Sequence, residues 1–123
     1  MKIRIKGNSI RFRLTKSEVE IFCETGYFED TTDFGTKKFT YALRTKKGID
    51  ALDADFQEGT ITMYLNSQKS KDWFKSNQVG FSHSTKKENG TELALLLEKD
   101  FVCMDESVED QSDNYPNPLN DKK

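Results

Sequence analysis

KIRIKGNSIRFRLTKSE, residues 2–18, reads as strand, turn, strand and helix start in one uninterrupted run. Ile3 and Ile5 alternate with Lys2, Arg4 and Lys6, and Ile10, Phe12 and Leu14 alternate with Ser9, Arg11 and Arg13. That period of two is the signature of a half-buried strand. Gly7-Asn8 between the runs suits a two-residue hairpin loop, because glycine accepts a positive φ without steric cost. Thr15-Lys16-Ser17-Glu18 matches a capping box, with Thr15 as N-cap and Glu18 reaching back to it. The helix that follows is expected to run to about Glu24, to bury Val19 and Phe22, and to stop at Gly26. The hairpin has one apolar face and one basic face, on which Lys2, Arg4, Lys6, Arg11 and Arg13 point the same way with no acid among residues 1–14.

The pattern returns 51 positions later. Ile10-Arg11-Phe12-Arg13-Leu14-Thr15 aligns with Ile61-Thr62-Met63-Tyr64-Leu65-Asn66, so that isoleucine meets isoleucine, leucine meets leucine and one helix-capping residue meets another. The same offset sets Phe22 against Trp73 and Phe28 against Val79, and it puts Tyr64 on the strand matching the basic one. Similarity at a fixed period marks duplicated supersecondary units. Further strands are expected from Tyr27-Phe28, over Phe39–Leu43 and Leu52–Phe56, and from Gln78 to His83. Leu93–Leu97 is apolar on both faces and is expected to be central in its sheet. A second short helix, capped by Asn66 or Ser67, is expected to carry Trp73 and Phe74. The fold expected is α+β and mostly β: a small barrel or strongly curved antiparallel sheet with two short helices. It forms one domain over residues 1–103, in halves of about 1–48 and 49–103, followed by an acidic polar tail over 104–123.

Composition narrows the class. The chain has 123 residues, 34% hydrophobic and 33% charged, with a net charge of −2. No apolar run approaches the roughly 18 residues of a membrane span, and MKIRIKGNS lacks the apolar region of a signal peptide, so a cytoplasmic protein is expected. Cys23 and Cys103 make no disulfide framework and no zinc spacing. Cys23 falls within the first helix, where a buried thiol is the usual outcome. A Cys103–His83 pair lacks any third orienting group, and His83 reads as structural.

The opening MKIRIKGNSIRFRLTKSEVE, the segment LLLEKDFVCMD and the closing EDQSDNYPNP together resemble an uncharacterised bacterial family, a domain of unknown function spanning essentially the whole chain. That resemblance implies a small cytosolic protein and brings no activity, cofactor or catalytic residue. Residues 10–28 are also similar to the half-barrel unit of AbrB-type cradle-loop barrels. This second resemblance implies two fused copies forming a pseudo-two-fold barrel in one chain.

Three clusters carry chemistry. The basic hairpin face suits phosphate-bearing or other anionic partners by counterion release. The overall charge of −2 argues against a general nucleic-acid coat, and no aromatics for base stacking are interleaved with the cations, although nucleic acid remains one such partner. Near the C-terminus, Asp100, Asp105, Glu106, Glu109, Asp110 and Asp113 surround Cys103, with Tyr115 beyond them. This stretch matches no EF-hand, and a thiolate and hard oxygen donors favour different metals, so neither metal nor cofactor is expected. Asp53 and Asp55, two apart on one strand, are a carboxylate pair that a hydrolase would place in a cleft with one pKa raised. Taken together, the residues point to a non-enzymatic binding module whose basic hairpin meets an anionic partner or the chain's own acidic tail. The alternative is a small-ligand or metal-dependent enzyme using Cys103 and the carboxylates near it.

Overall fold

In the computed structural model, which describes residues 1–100 and Tyr115, the alternating runs form β1 (Lys2–Lys6) and β2 (Ser9–Leu14), antiparallel with Ile3 opposite Phe12. Gly7 occupies the first position of the two-residue turn at φ 53, the place where a type II′ turn requires a positive φ. Helix α1 (Lys16–Thr25) starts where the capping box lies: the Thr15 backbone N–H donates to Glu18 Oε1 at 2.9 Å. It buries Val19 and Phe22 and ends at Gly26. Two more strands, β3 (Tyr27–Asp33) and β4 (Lys38–Lys46), form the second hairpin.

The second half follows the same order. β5 (Leu52–Gln57) and β6 (Thr60–Asn66) pair in the register of β1–β2 shifted by the offset, with Ala54 opposite Met63 where the first half has Ile3 opposite Phe12. Helix α2 (Ser67–Ser70) is a single turn capped by Asn66, whose Oδ1 accepts from the N–H of Gln68 at 2.8 Å and of Lys69 at 3.3 Å. β7 (Gly80–Lys86) and β8 (Glu92–Lys99) complete the chain of elements.

The protein is mostly β, but its two four-stranded sheets do not close into a barrel. One sheet has the order β1-β2-β8-β7 and the other β3-β4-β6-β5. Each contains one hairpin from each half of the chain, joined by a parallel pair at the centre, β2 with β8 and β4 with β6. The sheets are thus mixed, where alternation alone had pointed to antiparallel pairing. β8 is an inner strand, as its two apolar faces require. Phe12, Leu14, Leu43, Met63, Leu65, Leu95 and Leu97 fill the space between the sheets, and Phe22 meets Trp73 edge-on at 6.4 Å.

Two expectations are corrected. Trp73 and Phe74 lie in the turns after α2, not on it, because the helix stops at Ser70. Those turns and residues 77–79, which belong to no strand, delay β7. The match of Phe28 is therefore Phe81, not Val79: Phe28 faces Leu43 across its hairpin and Phe81 faces Leu97 across the other, whereas Val79 is exposed.

The sheets are tied at their margins by polar contacts. Lys87 Nζ donates to Asp53 Oδ1 and to the Ala54 carbonyl, both at 2.9 Å, holding the β7–β8 loop to β5. On the other side the Met1 α-ammonium donates to Glu18 at 2.5 Å and to Asp30 of β3 at 2.7 Å, while the Tyr41 hydroxyl donates to the Met1 carbonyl at 3.0 Å. No helix among the described residues is long and apolar enough to cross a membrane.

Candidate functional site

The β1–β2 register brings the five expected cations onto one surface. Lys2 stands opposite Arg13 and Arg4 opposite Arg11, with Lys6 beside the turn opposite Ser9. Two shallow hollows of about 270 and 240 Å³ lie along this surface and share Arg4 and Arg11. The first is completed by Lys2, Ile3 and Arg13, the second by Lys6, Ser9 and Leu96.

The parallel pairing of β2 with β8 sets Glu98 beside Arg13. Glu98 Oε1 lies 3.4 Å from Arg11 Nε and 3.9 Å from Arg13 Nε, so one carboxylate serves two guanidinium groups. At the far end, Lys2 Nζ lies 3.2 Å from Asp100 Oδ2, near enough for an ion pair but off the line that a hydrogen bond needs. Arg4 and Lys6 are exposed and form no ion pair among the described residues. Sequence reasoning missed Glu98, since only knowledge of which strand neighbours β2 would have revealed it. Tyr64, which the repeat set on the strand matching the basic one, is on the other sheet, where Lys46 Nζ stacks over its ring at 4.8 Å and its hydroxyl donates to Asp55 at 3.2 Å.

Of the C-terminal candidates, Asp100 and Tyr115 belong to the described residues, while Cys103, Asp105, Asp110 and Asp113 lie outside them. Asp100 is 2% exposed; its N–H donates to the Leu14 carbonyl and its own carbonyl accepts from the Tyr115 N–H, both at 2.8 Å. The Tyr115 ring lies between two ammonium groups, Lys16 Nζ at 5.9 Å and Lys99 Nζ at 5.1 Å from its centroid. Lys99 is 5% exposed and donates to the Ser76 carbonyl at 2.8 Å. Burial pushes its pKa down, against a weaker upward pull from Cys23. Cys23 itself is half-buried, and burial raises its thiol pKa despite the Phe74 N–H and Lys99 nearby.

Asp53 and Asp55 do share a face of β5. Burial alone would raise the Asp53 pKa, but the Lys87 hydrogen bond, the Ala54 N–H and the charges of Lys87 and Lys46 outweigh it and hold the carboxyl below its usual value. A general acid needs the opposite shift. His83 lies on β7 opposite Leu95. Among the described residues, no three His, Cys, Asp or Glu side chains come together as a metal site.

The chain belongs to a family of unknown function (DUF7009), whose model matches residues 1–119. No curated protein and no solved structure matches it.

Proposed function

We propose that this member of a family without an assigned activity is a non-enzymatic binding module whose β1–β2 face docks an anionic partner. One observation carries the proposal: two like-charged pairs, Lys2–Arg13 and Arg4–Arg11, stand directly across the hairpin. Like charges at such positions destabilise a sheet, so this arrangement works against the fold until something anionic covers it. Glu98 offsets part of the repulsion and Asp100 part more at Lys2, leaving Arg4 and Lys6 available. The acidic segment that begins at Asp100 is a natural competitor for the same face.

Retention on immobilised heparin, eluted with salt, tests this. The Arg4→Glu/Lys6→Glu double variant should elute at distinctly lower salt than the wild type. Glu98→Gln, which releases two guanidinium groups, should elute at higher salt. Coincident elution of all three proteins would overturn the proposal.

A further inference from the structure

We infer that the partner of the basic face is the sugar–phosphate backbone of a double-stranded nucleic acid, an inference that rests on the β1–β2 ribbon being a docking face. The two hollows follow one another along the ribbon and share the Arg4–Arg11 pair. Side chains two residues apart on a strand are about 6.8 Å apart, so the cations repeat along a line as backbone charges do. Each hollow is bounded by cations from both strands: Lys2 and Arg4 face Arg11 and Arg13 across the first, and Arg4 and Lys6 face Arg11 across the second. Donors on two sides suit a tetrahedral phosphodiester, which offers oxygens in more than one direction. A carboxylate can also bridge two guanidinium groups, as Glu98 does, so poly-glutamate is the competitor that the test includes.

Neighbouring positions on the same face decide between double and single strands. Alternation puts Gly80, Ser82 and Ser84 of β7 and Ala94, Leu96 and Glu98 of β8 on the outer surface beside the ribbon, while Phe81 packs inward against Trp73. No aromatic ring stands among these outward residues, and stacking on aromatic rings is how proteins hold unpaired bases. Gly80, Ser82 and Ser84 are small, so a duplex lying along the cations meets little bulk beyond Leu96 and Glu98. Contacts limited to phosphates carry no sequence information directly.

The test is fluorescence anisotropy of the full-length protein with a labelled DNA duplex, the same sequence as a single strand, and labelled poly-glutamate. The duplex should bind best, with a log–log salt slope of about −4, so that affinity falls roughly a hundredfold or more between about 50 and 200 mM salt. The Arg4→Glu/Lys6→Glu variant should bind more weakly and lower the slope by about 2, while Arg4→Lys/Lys6→Arg should keep both. A thermal midpoint no lower than that of the wild type shows that the variants are folded, which the exposure of both residues favours. Equal or better binding of the single strand or of poly-glutamate would overturn this inference and leave the docking face standing. Binding of none of the three would overturn both. Undiminished duplex binding by the charge-reversed variant would move the site off the ribbon and overturn both as well.

Discussion

At the scale of single residues, the most consequential contact is the Met1 α-ammonium held by Asp30 and Glu18. Burial pushes its pKa down, but the hydrogen bonds it donates to both carboxylates, and their charges, more than compensate and raise it above the usual 8.0. A group whose folded pKa is raised contributes fully below its unfolded value and loses that contribution as pH climbs through the folded one. Asp30→Asn should therefore destabilise the protein by about 1 kcal/mol at pH 7, a charged hydrogen bond discounted for the exposure of Asp30. The gap should close once the pH exceeds the raised pKa. Denaturant melts of both proteins at neutral and at strongly alkaline pH check this, and a pH-independent gap would rule the amine out. Nothing in the sequence near Met1 announces the contact, because it depends on β1 and β3 meeting at the margin of two sheets. The basic residues beside it were legible, since a period of two is enough to assign them to one face.

At the scale of elements, local chemistry decided almost everything that could be anticipated. Both two-residue turns and both caps follow from contacts within four residues, and they occur where the residues call for them. The length of α2 was not legible in this way. Asn66 starts a helix, but no glycine or proline marks its end, and tertiary packing stops it after one turn. Trp73 shows what replaces the helix: it is 1% exposed, touches Phe22 and Phe81 edge-on, and donates from Nε1 to the Gln78 carbonyl at 3.1 Å. It anchors a segment with little regular structure of its own. Trp73→Ala should cost about 3–5 kcal/mol, against a total of about 5–15 kcal/mol for a typical domain. A denaturation midpoint within error of the wild type would show that the anchor lies elsewhere.

At the scale of the whole molecule, the parallel pairs β2–β8 and β4–β6 were invisible in the sequence because they join segments from opposite halves. The repeat at an offset of 51 showed that the halves share a plan; it did not show that they exchange hairpins. The exchange has a direct test. Fragments 1–48 and 49–123 each supply hairpins without their central neighbours, and an isolated two-stranded hairpin is marginal in water. Neither fragment should unfold cooperatively alone, and mixing them should restore the near-ultraviolet circular dichroism of Trp73. Cooperative unfolding of either fragment alone would contradict a hairpin exchange. The same architecture governs the birth of the protein. Ser9 pairs with Ala94, so during synthesis at about 5–20 residues per second the first hairpin waits on the order of ten seconds for its neighbour to be made. Throughout that interval the backbone edge of β2 is bare, and the sheet that starts at the first residues is the last to be finished.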